Sequence, residues 1–222
     1  MRYQLILSPN TDPVPFNHLH QLTGAVHKWL GENTVHDGLS LYSFGWLRGG
    51  EVRKGNLLFP QGASWNISFF DDELAKQLLK GVLNEPSVAY GMQVQEVQEI
   101  SPLPFNKQHI FQTDGSAVLA RQKRMDDTRE YLLWDSLAAN EILTNILRRK
   151  LNQAGFTGEH LNARVAFDRA YQHPRTRKVT IKDIEHKGSE CPVIVEGTPE
   201  AIHFAWLVGI GDLTGSGFGA LR

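Results

Sequence analysis

The chain has 222 residues, of which 41% are hydrophobic and 21% are charged, and its formal net charge is −1. This composition is ordinary for a globular protein and is sufficient for a core in one or two domains. No apolar run approaches the ~18 residues that span a membrane, so we expect no membrane partner. The low cysteine content suits a reducing cytosol, so we expect a cytoplasmic location. Cys191 is the only cysteine, which excludes internal disulfide bonds and zinc clusters built on thiolates.

The charge is distributed unevenly along the chain. Residues 148–187 contain ten lysine or arginine residues and four acidic residues, a net charge of +6, while the other 182 residues carry −7. A basic stretch in a neutral chain is typical of a surface that binds a polyanion. The alternative is a solvated face that balances acidic residues elsewhere, and charge alone does not separate the two.

The first hundred residues have the pattern β-α-β-β-α-β. Tyr3, Leu5 and Leu7 alternate as in a strand with one buried face. Helical spacing of apolar residues follows from Leu19 to Leu30, and a second helix follows a cap at Asp71-Asp72. Strands are predicted over residues 41–47, 65–70 and 88–100. A proline-containing junction at residues 101–104 then separates a domain of residues 1–104 from one of residues 105–222.

The second half repeats this order loosely. Strands are predicted at 110–113, 117–120, 162–167, 178–184 and 192–195, with a long helix over 131–154. A last helix is predicted to begin after Thr198, with Pro199 at its first position. The predicted fold class is therefore α+β, with two tandem ferredoxin-like (βαββαβ) domains.

The chain closes with five glycines in eleven residues: Gly209, Gly211, Gly215, Gly217 and Gly219. Glycine permits positive φ and a close backbone approach, and such loops can present N–H groups to phosphate. The spacing does not fit the dinucleotide fingerprint or the phosphate loop of nucleotide-binding proteins. A flexible tail is the alternative, but Phe218 and Leu221 favour an ordered loop with a final strand.

The spacing Gly209-x-Gly211-x5-Gly217-Phe218-Gly219 resembles the C-terminal signature of the Cas6 family of CRISPR repeat-processing endoribonucleases. The segment Arg177-Lys178-Val179-Thr180-Ile181-Lys182 and the opening Met1-Arg2-Tyr3-Gln4-Leu5 are similar to the corresponding parts of that family. The resemblance is discontinuous at the level of amino-acid identity, but it extends along the whole chain.

The resemblance implies cleavage of RNA without a metal, by attack of the 2′-hydroxyl beside the scissile phosphate. The products would be a 2′,3′-cyclic phosphate and a 5′-hydroxyl. Such a reaction needs one group to accept a proton, another to donate one, and a cation for the developing charge. No His-x-x-x-His pair or convergent acidic set suggests a metal site, so we expect neither a metal nor another cofactor.

On the positions that match the family, the resemblance implies that His27 and His36 are catalytic, and which one is the acid stays open. Histidine suits both roles because its unperturbed pKa is about 6.5. His27 would border the apolar stripe of the first helix. The lysine that many relatives carry after the second histidine is missing here, so the cation would come from Arg48, Arg53, Lys54 or elsewhere, or from a second histidine held protonated.

The partner implied by the resemblance is CRISPR repeat RNA, single-stranded or hairpin. We predict that a basic cleft between the domains and the C-terminal glycines contact it, through Arg48, Arg175, Arg177, Lys178, Lys182, Gly209, Gly211, Gly215, Gly217, Phe218 and Gly219. Subunits of a CRISPR effector complex and a second copy of the chain are further candidate partners. Two other functions stay open: a non-catalytic RNA-binding subunit, and a ferredoxin-like regulator that binds a metabolite.

Overall fold

The computed structural model describes residues 1–32, 39–102, 104–125 and 128–222. Its first half contains, in chain order, β1 (Arg2–Leu7), α1 (Leu19–Leu30), β2 (Tyr42–Phe44), β3 (Glu51–Arg53), β4 (Asn56–Leu58), β5 (Ala63–Phe69), α2 (Asp72–Asn84) and β6 (Val94–Glu99). The second half contains β7 (Gln108–Phe111), β8 (Ala120–Lys123), β9 (Arg129–Leu132), α3 (Leu137–Gln153), β10 (Arg164–Phe167), β11 (Arg175–Ile181), β12 (Ile184–Glu190), β13 (Val193–Glu196) and α4 (Pro199–Val208).

The first half forms an antiparallel sheet in the order β2-β5-β1-β6. The first and third strands of the βαββαβ unit therefore lie in the middle, as the ferredoxin-like fold requires. Leu5 of β1 lies opposite Trp65 of β5 and Val97 of β6. Leu5 and Trp65 are buried in one core with residues of α1 and α2. The predicted alternation of β1 is confirmed. Its other face, which carries Arg2 and Gln4, lies towards the second half of the chain.

The second half forms a sheet in the order β10-β13-β7. An isolated bridge between Thr113 and Leu221 occupies the position of the fourth strand. The strand expected near the C-terminus is thus reduced to one paired residue, and the tandem ferredoxin-like fold class is confirmed. Among the described residues, no helix has the length and apolar character needed to cross a membrane.

Three hairpins depart from the predicted elements. The hairpins β3–β4 and β8–β9 were not predicted, and the second of them contains Tyr131, so α3 begins six residues later than expected. The strand predicted over 178–184 is confirmed over 178–181, which belong to β11; the chain then turns, and Ile184 begins β12 of the same hairpin. Lys182 and Asp183 adopt φ of 47° and 66° in this turn. Such turns are usually signalled by Asn-Gly, and the sequence here lacks that signal.

The two helical caps that the sequence predicts are present. The side chain of Asp71 accepts hydrogen bonds from the amide groups of Glu73 and Leu74, at the start of α2. The side chain of Thr198 accepts one from the amide group of Ala201, at the start of α4. Local sequence signals therefore determine where both helices begin.

The two cores share residues across the predicted domain boundary. The core of the first sheet includes Ala117, Leu119, Val179 and Phe218 from the second half of the chain. These residues close the first core, so the halves pack as one unit even though their sheets are separate. The division between residues 104 and 105 stays a prediction.

Candidate nucleic-acid interface

The glycine-rich segment, residues 209–222, folds back against the protein as an ordered loop. The amide group of Ile210 donates to the carbonyl oxygen of Gly219 at 2.9 Å, and that of Asp212 donates to Leu119 at 3.0 Å. Gly209, Gly211, Gly217 and Gly219 have positive φ. The ordered loop, and not a flexible tail, is the arrangement that the structure shows.

The packing of this segment corrects the role predicted for it. The amide groups of Gly209, Gly217 and Gly219 donate to carbonyl oxygens of Ala205, Thr214 and Ala117. Gly211 and Gly215 are buried as well, and the Phe218 side chain is 0% exposed. A buried amide group must find a partner, and here the chain itself supplies it. Phe218 and these three amide groups are therefore not available to RNA, and the glycines allow close packing instead.

His27 lies in the last two turns of α1 and is half-buried, at the border of the apolar stripe as expected. The neighbouring Lys28 is held by Glu85, at 3.0 Å between Nζ and Oε1. Leu19, at the other end of α1, lies beside Gly217 of the glycine-rich segment. His27 is eight residues further on, about 12 Å along the helix axis. His36 lies outside the described residues.

The β11–β12 hairpin carries most of the predicted RNA-binding cations. Lys178 is directly opposite Lys187 in the register. Both are on the outward face, because the neighbouring pair Val179 and His186 is buried. Like charges directly opposite one another destabilise a hairpin, and Glu185 offsets part of that cost by pairing with Lys178 at 3.1 Å. Because both side chains of this pair are exposed, a phosphate can replace Glu185 there. The amide group of Thr180 donates to Asn17 Oδ1 at 3.2 Å, which places the hairpin beside the start of α1.

The other cations of the basic stretch differ in exposure. Arg175 is exposed at the start of β11, and Lys182 is exposed in the turn that follows this strand. Arg177 is half-buried and pairs with Glu190, at 2.6 Å between Nη2 and Oε2. Arg148 and Lys150 instead donate to main-chain carbonyl oxygens, those of Ala163 and Val208. The basic stretch is therefore divided between a charged hairpin and structural contacts inside the second half.

A second cationic site lies between the two halves, in a cavity of about 350 Å³ that we call the interdomain pocket. Its lining combines arginines with aromatic and amide side chains and includes Arg2, Arg48, Asn66, Phe105, His109, Trp206 and Arg222. The guanidinium of Arg2 lies over the ring of Trp206, 4.8 Å from its centroid. Arg48 is the one pocket residue that the sequence predicted to bind RNA.

Asp114 forms salt bridges with two arginines of this pocket, Arg2 and Arg48. Its side chain is 1% exposed and accepts from Arg48 Nη1 at 2.9 Å, Arg2 Nη2 at 3.3 Å and Asn66 Nδ2 at 2.7 Å. Arg2 is 3% exposed, and its Nε and Nη1 have no hydrogen-bond partner among the described residues. These donors have almost no accessible surface, so Arg2 is a buried part of the pocket wall, and the exposed cation of the lining is Arg222. The polar alternation of Arg2 and Gln4 in β1 was the only sequence signal for this face.

Two histidines, His18 and His186, are buried in the protein interior. Burial lowers the pKa of His186, and Arg121 and Arg129 lower it further. Its Nδ1 contacts the Tyr131 hydroxyl at 3.2 Å. Burial also lowers the pKa of His18. The lowered pKa values favour the neutral form of both rings, and both side chains are too buried to reach a substrate. Within the described ranges, no group of three His, Cys, Asp or Glu side chains is arranged to hold a metal ion.

Comparison with known proteins gives one family and a consistent fold. Residues 95–222 match the family model described as "CRISPR associated protein Cas6, C-terminal". No curated protein matches the chain. A solved structure from Pyrococcus furiosus, described as a Cas6-related gene, is 20% identical, with a TM-score of 0.87 over 100% of this chain and 97% of its own.

Two further solved structures agree with this fold. One, described as "CRISPR associated protein Cas6", is 22% identical, with a TM-score of 0.82 over 100% of this chain and 98% of its own. The other, described as "An RAMP protein binding different RNA substrates", is 18% identical, with a TM-score of 0.86 over 100% and 98%. The likeness covers both halves and includes their arrangement.

Proposed function

Because the chain belongs to the Cas6 family of CRISPR-associated proteins, we propose that it binds CRISPR precursor RNA and cuts it within the repeats to give guide RNAs. The family match over residues 95–222, more than half of the chain, is the observation that carries this proposal. The cut uses the 2′-hydroxyl as nucleophile, needs no metal, and leaves a 2′,3′-cyclic phosphate and a 5′-hydroxyl.

In this proposal His27 and His36 transfer the protons. His27 is suited to the role because its ring is half-buried at the end of α1, where a substrate can reach it while the helix holds it in place. Arg48 is paired with Asp114 and is therefore a poor source of the cation for the developing charge. Arg53 and Lys54, exposed on the β3–β4 hairpin, are the remaining candidates named above.

The RNA-binding surface has two parts in this proposal. The β11–β12 hairpin contacts phosphates through Arg175, Lys178, Lys182 and Lys187, beside the start of α1. The interdomain pocket receives an unpaired nucleotide, whose base stacks on its aromatic side chains and whose phosphate meets Arg222, an exposed cation of the lining. The relative described as an RAMP protein binding different RNA substrates supports RNA as the ligand.

The test of this function is incubation of repeat RNA with the protein in EDTA. We expect one cut per repeat, with a cyclic phosphate on the upstream product and a 5′-hydroxyl on the downstream product. Cleavage that needs Mg²⁺ would contradict the mechanism. Tight binding without any cut would instead favour the non-catalytic RNA-binding subunit, for which effector-complex subunits are the expected partners. A second copy of this chain stays a candidate partner in either case.

The contribution of the β11–β12 hairpin to RNA affinity can be measured from the salt dependence of the Kd. In a variant with Lys178→Gln and Lys187→Gln, we expect repeat RNA to bind about tenfold more weakly near physiological salt, and the slope of log Kd against log salt to fall by roughly 1 to 1.5. The matched control is Lys76→Gln with Lys80→Gln, two exposed lysines of α2, which should leave the slope unchanged. Equal effects of both pairs would place the RNA elsewhere.

A further inference from the structure

The C-terminal end of α3 holds a buried lysine under the glycine-rich segment. Lys150 is 2% exposed. Its Nζ donates to the carbonyl oxygen of Val208 at 3.1 Å and to the hydroxyl of Thr214 at 2.9 Å. The lysine thus connects α3 to the last turn of α4 and to the glycine-rich segment.

The same contacts continue into β2, in the other half of the protein. The Thr214 hydroxyl donates to the carbonyl oxygen of Tyr42 at 3.0 Å. The Tyr42 hydroxyl donates in return to the carbonyl oxygen of Gly215 at 3.2 Å. One turn further along α3, Gln153 Nε2 donates to the carbonyl oxygen of Leu39 at 3.3 Å. Helix α3 therefore contacts the backbone at Leu39 directly and reaches that at Tyr42 through Lys150 and Thr214, where the chain enters β2.

Stability does not explain a lysine at this place. Its hydrogen-bond partners are a carbonyl and a hydroxyl, and burying an ammonium group without a carboxylate partner is costly. Burial lowers the pKa of Lys150 to about 7, and Asp212, which is itself paired with Arg121 at 2.9 Å, opposes this only in part. A methionine would fill a similar space without that cost.

We propose that Lys150 is a positioning residue for RNA cleavage, which fixes the entry into β2 and the glycine-rich segment relative to α1 and His27. This inference rests on the proposed function. The glycine-rich segment links these parts, because Leu19 of α1 lies beside Gly217 and Trp46 Nε1 donates to the Gly217 carbonyl oxygen at 2.7 Å. A shift of about 1 Å in reacting groups can slow catalysis by about 100-fold.

The test compares Lys150→Met with the wild type in single-turnover cleavage of repeat RNA. We expect the rate to fall 10- to 100-fold while the Kd for the RNA stays within threefold and the Tm at pH 7 is unchanged or higher. A loss of rate without a loss of stability is a result that a merely structural role would not give. The control is Asn152→Ala, an exposed residue at the same end of α3, which should cut at the wild-type rate.

The pH dependence of stability supplies a second readout. The unfolded lysine binds a proton up to a pKa near 10.5, but the folded lysine releases it at about 7. The unfolded state therefore binds more protons between these pH values. The Tm of the wild type should rise relative to the Tm of Lys150→Met as the pH increases from 7 to 9. Identical pH profiles would mean that Lys150 does not sit in the contacts described.

If Lys150→Met does not fold, Thr214→Val decides the matter by the same criteria, because it removes the hydroxyl between Lys150 and Tyr42. If both variants fold, the double variant should lose no more rate than the worse single variant, since both act through one connection. If the wild type cuts the RNA and Lys150→Met cuts it equally fast, this inference is wrong but the proposed function stands. A wild type that never cuts would overturn the proposed function along with it.

Discussion

Replacement of His27 by alanine is expected to slow the cleavage of repeat RNA by roughly 10²- to 10⁴-fold, the usual contribution of one general acid or base. The Kd for the RNA should stay within about threefold, since the phosphate contacts proposed here come from the β11–β12 hairpin and the interdomain pocket. Single-turnover rates and equilibrium binding of the same RNA measure the two quantities separately. His36→Ala should give a loss of similar size.

The control for this variant is His20→Ala. His20 is exposed and lies seven residues earlier on α1, two turns before His27, so it matches the chemistry and the helix without reaching the proposed site. It should cut at the wild-type rate. If His27→Ala also cuts at that rate while His36→Ala does not, the assignment of His27 to proton transfer is wrong. If neither variant slows cleavage, the histidine mechanism itself is wrong.

The second large effect is expected at Gly219. Its φ is +62°, and a Cβ atom built on it would lie 1.8 Å from the carbonyl oxygen of Ile210. That carbonyl belongs to the backbone of the same loop and has little room to move. Gly219 also pairs with Ala117 and Ile210 through its own amide and carbonyl groups. We therefore expect Gly219→Ala to lower the free energy of unfolding by about 3 kcal/mol or more, measured by urea denaturation.

Gly155→Ala separates the two causes of the expected loss of stability at Gly219, which are the positive φ and the steric overlap with Ile210. Gly155 also has positive φ, +86°, but a Cβ atom there would meet nothing within 4 Å. Gly155→Ala should therefore cost only the conformational penalty of about 1–2 kcal/mol. If the two variants are equally stable, the close approach of Gly219 to Ile210 does not exist in solution, and the tight packing of the glycine-rich segment is wrong.

The fold could be predicted from the sequence where the signals are local. The alternation in β1, the apolar stripe of α1 and the caps at Asp71 and Thr198 each report on a few neighbouring residues, and the structure confirms them. The turn at Lys182-Asp183 lacks glycine and asparagine, so the β11–β12 hairpin resembled a single strand. Local signals therefore predict the elements where the usual residue types occur.

The site was harder to predict because its contacts are between distant parts of the chain. Arg2 and Asp114 are 112 residues apart and meet only when the two halves pack together. The glycine spacing correctly indicated an ordered loop and the family, but it did not show whether the amide groups face a ligand or the interior. Their partners, such as Ala117 for Gly219, come from another part of the chain. Pairing of this kind depends on tertiary structure.

The most direct measurement is cleavage, in EDTA, of a repeat RNA that carries a single 2′-deoxyribose at the scissile nucleotide. The substitution removes the nucleophile and leaves every phosphate in place, so binding should be preserved. We predict that the substituted RNA binds with an unchanged Kd and is not cut, while the all-ribose RNA is cut at that position. Cleavage of the substituted RNA at the same site and rate would contradict attack by the 2′-hydroxyl.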